Sequence, residues 1–245
     1  MALECRNISF SFKDENGDEK QILKDMSFHL DTNEIKLVYG HIGVGKSTLI
    51  YLLAGLLEDF EGEICWDGYC FKKTSSTLDK IRSRYMSINF SNFFYIKDMD
   101  VEHNIIFPAV FAKKSKHYIE ERLDMMYEAF SNIKLSEHDV FNLKSFAKKK
   151  IGTMSNGQRE IVMLARMLMN DSAYILADEM LRSFNTNVKK QMLEILFEKF
   201  HFGVNNSVVL ITHDDKMLEY MKHYAKGRVK ITAYDFKDKT LMERK

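Results

Sequence analysis

Glu34-Ile35-Lys36-Leu37-Val38-Tyr39-Gly40-His41-Ile42-Gly43-Val44-Gly45-Lys46-Ser47-Thr48-Leu49-Ile50-Tyr51-Leu52-Leu53-Ala54 is the stretch on which the fold turns. Its first six residues are an apolar-rich run that stops at Gly40, as a strand does, and Ser47 to Ala54 carry a helical signature. Between them lies Gly40-His41-Ile42-Gly43-Val44-Gly45-Lys46-Ser47, a G-x-x-x-x-G-K-[ST] loop in the strand-to-helix context that gives this pattern its meaning. Glycines let the backbone curl until successive N–H groups point inward, and the following helix aims its positive end at the same place. Such a loop wraps a chain of phosphates, with the Lys46 ammonium reaching the outer ones and the Ser47 hydroxyl available to a divalent cation.

Upstream, Leu3, Cys5, Ile8, Phe10 and Phe12 alternate with polar neighbours over 2–12, and Asp14-Glu15-Asn16-Gly17-Asp18 reads as a turn leading to a second strand over about 21–30. Two antiparallel strands therefore precede the loop strand. Downstream, 85–90 reads as a strand and 101–145 as helical, with Ser115 as an N-cap and Ile119, Leu123, Met126, Tyr127 and Phe130 on one face. After 158 the pattern alternates: helix 158–170, strand 173–177, helix 186–200, strand 207–212, helix 214–223 and a last strand near 228–234. Alternating strands and helices imply an α/β fold with a mainly parallel sheet covered on both faces. The helical stretch reads as an insertion, so 1–245 forms one domain whose core is 1–90 and 155–245, with a helical subdomain at 91–154.

Three further stretches carry chemistry. Tyr174-Ile175-Leu176-Ala177-Asp178-Glu179 is an apolar strand running into two acids, which sets Asp178 as a metal residue and Glu179 as the candidate base for a water. Met154-Ser155-Asn156-Gly157-Gln158 opens an amphipathic helix and offers a small anion-binding end, although Ser-Asn-Gly is also an everyday turn. Ile211-Thr212-His213-Asp214 ends a later apolar strand on a histidine.

Composition excludes other classes. Lys+Arg 36 against Asp+Glu 35 leaves a net charge of +1, so no global field points to nucleic acid. The apolar run Ile105 to Ala112 falls far short of the roughly 18–20 residues that cross a bilayer. The N-terminus lacks the basic-then-apolar order of a secretion signal, which reads as a cytoplasmic chain. Cys5, Cys65 and Cys70 are odd in number and lack CxxC spacing, so the expectation is reduced, structurally incidental thiols.

In this order the motifs resemble the ATP-binding subunits of ABC transporters, and the resemblance covers nearly the whole chain. It implies a P-loop NTPase fold and MgATP hydrolysis. It places Phe12 where an aromatic stacks on adenine, Gly40, His41, Ile42, Gly43, Val44, Gly45, Lys46, Ser47 and Thr48 around the nucleotide, and Ser47 with Asp178 at Mg²⁺. Glu179 and His213 take the catalytic places. Ser155, Asn156, Gly157 and Gln158 match the signature that closes over the ATP of a second ATPase subunit, in a homodimer or a heterodimer. Arg182-Ser183-Phe184-Asn185 matches the D-loop. The charged first hairpin loop, the stretch Val101 to Pro108 and Gly-His-x-Gly look most like the branch of lipoprotein-releasing, cell-division and MacB-type ATPases. That branch implies an integral membrane partner and a place on the cytoplasmic face of the plasma membrane.

The chain also departs from the family. The Q-loop glutamine position falls on Ser91, with Asn92 and Asn89 as neighbouring substitutes, Met180 stands for the usual proline, Asn185 for the D-loop aspartate, Met154 for the signature leucine and Asn156 for a signature glycine. Two readings follow: a slow ATPase that energises a membrane partner by dimerisation, and a nucleotide-gated scaffold with little turnover. A soluble ABC protein acting on DNA or ribosomes would need a coiled-coil insert or a second cassette, and neither is present.

Overall fold

A computed structural model of the chain describes residues 2–13, 15–71, 76–90 and 95–244. The strands are β1 (Leu3–Lys13), β2 (Glu19–Leu30), β3 (Glu34–Tyr39), β4 (Glu61–Trp66), β5 (Tyr69–Phe71), β6 (Met86–Asn89), β7 (Ile133–Lys134), β8 (Val140–Phe141), β9 (Tyr174–Asp178), β10 (Ser207–Ile211), β11 (Lys230–Lys237) and β12 (Thr240–Glu243). The helices are α1 (Lys46–Leu53), α2 (Ser76–Tyr85), α3 (Val101–Phe111), α4 (Lys116–Ala129), α5 (Asn156–Met167), α6 (Thr186–Lys199) and α7 (Met217–Ala225).

The main sheet has the order β12-β11-β3-β10-β9-β6 and is parallel except for β12. Every residue of β3, β9 and β10 is buried, because both faces of a parallel sheet are covered. The period of two sorts these residues between two cores. Ile35, Leu37, Ile175, Ala177, Val208 and Leu210 pack with α3 to α7, whereas Val38, Leu176, Val209 and Ile211 face α1 and the antiparallel sheet. This confirms the α/β class, with antiparallel strands at the N-terminus.

Several elements differ from the sequence-based expectation. The antiparallel sheet has four strands, β2-β1-β4-β5, rather than two. The helical run expected over 101–145 ends at Ala129; Ile133 then pairs with Phe141 and Lys134 with Val140. The helix expected from 214 begins at Met217, because the Asp214 carboxylate accepts from Lys216 N (3.1 Å) and its own N–H bonds Thr212 Oγ1 (3.1 Å), a local turn that competes with helix. The last strand runs to Lys237 and folds back as β12.

The cysteines require a correction. Cys65 and Cys70 form a disulfide and are not incidental thiols, while Cys5 is free and buried, its thiol pushed above its ordinary range by burial. Asp67 (φ 48°) and Gly68 (φ 81°) form the two-residue turn between β4 and β5, which sets Cys65 directly opposite Cys70. Asp-Gly between two apolar stretches was the legible signal. The bridge spans a sequence separation of 5. A loop this short constrains the unfolded chain little, so Cys70→Ser is expected to lower unfolding stability by about 2 kcal/mol at most. Urea unfolding of the wild type and the variant, with and without reductant, measures it; a much larger loss would show that the hairpin organises the antiparallel sheet.

Candidate functional site

The site is set by register. Val38 of β3 pairs with Ile211 of β10, which pairs with Asp178 of β9, so three parallel strands end in one row. The ladder continues past them: Thr212 N donates to Val38 O (3.1 Å) and Glu179 N to Ile211 O (3.0 Å). One residue further on lies His213, and on β3 the chain enters the Gly40 loop. Carboxyl ends of parallel strands are where such sheets open a crevice. Here a cleft of about 380 Å³ is lined by Phe12, Gly43, Gly45 to Thr48, Asp178, Glu179 and His213, together with Ile22, Ile42 and Arg182.

Gly45 is the tightest point of the loop. Its φ is 114°, and an added Cβ would stand 2.4 Å from Ile22 Cγ2. Gly40 (φ 155°) lets the chain leave β3 beside Phe236, whose backbone oxygen would stand 3.1 Å from an added Cβ. Lys46 curls back so that its Nζ donates to Gly40 O and His41 O, both at 2.8 Å. Burial pulls the Lys46 pKa below its ordinary value, against the opposing pull of Glu179 and Asp178. Ile42 is 90 % exposed, at the loop's outer turn, His41 is exposed and Val44 half-buried, and Thr48 is buried in the first turn of α1.

Two polar pairs face this loop. Ser47 Oγ donates to Asp178 Oδ2 at 2.7 Å across a sequence separation of 131. Glu179 holds His213 Nε2 on Oε1 and Arg182 Nη1 on Oε2, each at 2.5 Å. Glu179 sits at φ 55° and Leu181 at φ 69°, left-handed conformations that cost non-glycine residues free energy and that collect at functional sites. Phe12, at the end of β1, is 44 % exposed with its ring edge on Phe10, centroids 4.9 Å apart.

The remaining candidates lie elsewhere. Ser155 caps α5 in a reciprocal box: its Oγ accepts from Gln158 N (3.3 Å) and Gln158 Oε1 accepts from Ser155 N (3.2 Å). Asn156 Oδ1 accepts from Arg159 Nη2 (2.7 Å), and Gly157 packs beside Phe184. None of Ser155, Asn156, Gly157 and Gln158 lines the cleft. Asn185 caps α6 by accepting from Val188 N (3.1 Å), and Met180 is buried in the core. Ser91 and Asn92 fall outside the described residues.

Sequence reasoning missed Glu160. Its buried carboxylate accepts from Ser183 N at 3.0 Å and so fixes the segment that follows Glu179. Lys189 also escaped notice; its Nζ bonds Asp214 Oδ2 at 2.5 Å and pins the turn after His213. Neither carries a motif, because each acts on backbone or turn geometry rather than on a ligand.

Comparisons with known proteins show the family to which this fold belongs. The sequence profile of the ABC transporter family matches residues 23–182. The chain belongs to the ABC transporter family. Its relatives include the lipoprotein-releasing system ATP-binding protein LolD of Buchnera aphidicola subsp. Acyrthosiphon pisum, 31% identical over 224 residues, covering 89% of this chain and 91% of that protein. The LolD of Buchnera aphidicola subsp. Schizaphis graminum is 28% identical over 220 residues, covering 89% and 90%. Among solved structures, the ATP-binding cassette MJ0796 in a dimeric post-hydrolysis state with ADP and Pi superposes with a TM-score of 0.79 at 24% identity, over 99% of this chain and 98% of that one, which shows the shared fold. With these relatives the chain stands among the ABC ATPases of the LolD type.

Burial holds the Glu160 carboxyl above its ordinary range in spite of the backbone N–H groups of Ser183, Leu181 and Arg182 that favour its ionised form. A carboxyl raised on folding contributes its full stability below the unfolded value, and that contribution is lost as pH rises through the native one. Glu160→Gln keeps an acceptor for Ser183 N without the titration. Its stability relative to wild type is expected to improve as pH rises above the ordinary carboxyl range, measured by urea unfolding. A gap that stays constant with pH would contradict the assignment.

Proposed function

We propose that the cleft at the ends of β3, β9 and β10 holds MgATP and that each site residue acts on one part of it. Gly40, His41, Ile42, Gly43, Val44 and Gly45 wrap the phosphates with backbone N–H groups, Thr48 extends that cradle at the first turn of α1, and Phe12 takes the adenine face. Lys46 exchanges its two loop carbonyls for the outer phosphates. Ser47 and Asp178 fit a magnesium ion by their donor chemistry, since a hydroxyl and a carboxylate at 2.7 Å are hard oxygen ligands converging on one point. When bound, the ion neutralises charge on the phosphates.

The observation that carries the reading is the contact of Glu179 with His213 beside the Ser47–Asp178 pair. Glu179 accepts the proton of the attacking water, and His213, holding Oε1 from the neighbouring strand end, orients that carboxylate. The competing scaffold reading, with nucleotide bound and no turnover, leaves this pairing without a task. Arg182 on Oε2 draws the same carboxylate away from a water, which supports slow rather than absent hydrolysis.

Ser155, Asn156, Gly157 and Gln158 act on the ATP of a second ATPase subunit, since they sit at the start of α5 and outside the chain's own cleft. The pair closes on ATP and energises an integral membrane partner at the cytoplasmic face of the membrane, in a system of the lipoprotein-releasing type. Residues 95–154, the described part of the subdomain expected at 91–154, meet this partner. There α3 presents Phe107, Val110 and Phe111 at 37%, 54% and 66% exposure. No described helix is long and apolar enough to cross a membrane.

Lys46→Ala is expected to abolish ATP binding or hydrolysis, seen by titration of a fluorescent ATP analogue and by phosphate release; unchanged affinity and rate would overturn the loop assignment. Glu179→Gln is expected to keep binding, to lose turnover by a factor on the order of 10²–10⁴, and to accumulate an ATP-bound dimer on sizing with MgATP. Wild-type turnover in that variant would remove Glu179 from the base role.

A further inference from the structure

The outer face of the antiparallel sheet carries a set of reactive side chains that the nucleotide cleft does not use. Leu3, Cys5, Ile64, Trp66 and Phe71 pack into the core with α1. By the alternation of strand residues, Glu4, Arg6, Glu63, Cys65 and Cys70 therefore share the opposite face. Register sets Cys70 opposite Cys65 and Arg6 opposite Glu63, two residues earlier on β4. One ligand atom each from Glu63, Cys65 and Cys70 lies within 4.8 Å of the others, the one such grouping of metal-ligating side chains among the described residues.

The bridge within this group is open to attack. Cys70 is exposed whereas Cys65 is buried, and exposed disulfides are the ones that exchange readily with thiols. Closing so short a loop adds little to stability, and β4 is held without it through its pairing with β1. A small thiol opens the bridge in two steps. Its thiolate attacks Cys70 Sγ and releases Cys65; a second thiolate then attacks the small-molecule sulfur of the mixed disulfide and releases Cys70. Two electrons pass to the protein, and a small-molecule disulfide leaves.

The Glu63 carboxylate is equally available. Its ion pair with Arg6 is long, 3.8 Å from Nη1 to Oε2, and exposed on both sides, a contact that contributes little. Arg6 Nη2 also holds Glu4 Oε2 at 2.5 Å, so Arg6 keeps a carboxylate when Glu63 turns to a cation.

We propose that the reduced β4–β5 hairpin binds one zinc ion through the thiolates of Cys65 and Cys70 and the carboxylate of Glu63. Two sulfurs and one oxygen suit this borderline-soft cation, whereas magnesium favours oxygen ligands alone. Binding releases the two thiol protons, since the thiolate is the ligand. Three protein ligands leave a fourth position to water, so the ion stays exchangeable. The reverse exchange with a small-molecule disulfide re-forms the bridge, removes both sulfur ligands at once and ejects the ion. The site is independent of the nucleotide cleft and of the function proposed for it.

The test reduces the full chain with a phosphine, which carries off the two electrons as its oxide, and removes the excess under argon. The chain is then titrated with Co²⁺ in excess Mg²⁺, which occupies oxygen-ligand sites, and afterwards with Zn²⁺. The expected result is a thiolate-to-cobalt charge-transfer absorption that saturates at one equivalent and is bleached by one equivalent of Zn²⁺. The oxidised chain is expected to show no such band, and Cys70→Ser to lose it. The surface variant Glu63→Gln is expected to weaken binding at least about tenfold, or about 1.4 kcal/mol. The inference is overturned if the reduced chain gives no band, if the oxidised chain gives the same band, if half an equivalent saturates it, or if Glu63→Gln binds like wild type. No nucleotide enters the measurement, so its failure leaves the ATP site standing.

Discussion

The hydrogen bond from Ser47 to Asp178 is the constraint on which the rest of the site depends. It joins the first turn of α1 to the last residue of β9, and it forms only because β3, β10 and β9 terminate in one row. A slip of a single residue in either pairing would turn Asp178 to the other face of the sheet and carry Glu179 with it. The fully buried strands forbid that slip, since each has its residues committed to two different cores. Packing of Leu37, Val38, Leu176 and Val209 thus positions charges that none of them touches.

Polar geometry is layered on this apolar frame. Glu179 leaves the strand in a left-handed conformation and is held there by its N–H to Ile211 O and by the side chains of His213 and Arg182. Glu160 secures the following backbone from the side of α5, and Lys189 secures the turn after His213 from α6. Tyr39, the last residue of β3, ties the loop strand to α7 by accepting from Leu218 N at 3.1 Å. Apart from Arg182, each of these contacts comes from an element other than the one it steadies, so the cleft is over-determined.

Much of this was legible in the sequence, and the legible part has a physical rationale. The Gly40–Ser47 loop needs glycines where Ile22 and Phe236 crowd the backbone, and β9 needs an apolar run ending in Asp178, so both leave strong local signatures. Elements whose signal is weak or non-local were missed. β4 acquires meaning only when paired with β1, and the three-residue β5 only when paired with β4, while the 131–145 segment, read as helical, closes a two-residue ladder instead. The Cys65–Cys70 bridge depends on the turn at Asp67-Gly68 rather than on cysteine spacing. Departures that look damaging by motif have local tasks: Asn185 caps α6, and Met180 fills core space.

The central claim is that Ser47 and Asp178 together form the cation half of an ATP site. It is tested most directly by measuring ATP affinity with and without Mg²⁺ in the wild type and in Asp178→Asn, which keeps the size and the acceptor for Ser47 but removes the charge. The account predicts that Mg²⁺ strengthens ATP binding in the wild type and that this enhancement is largely lost in the variant, while binding without the ion is retained. Equal Mg²⁺ enhancement in both proteins would contradict it.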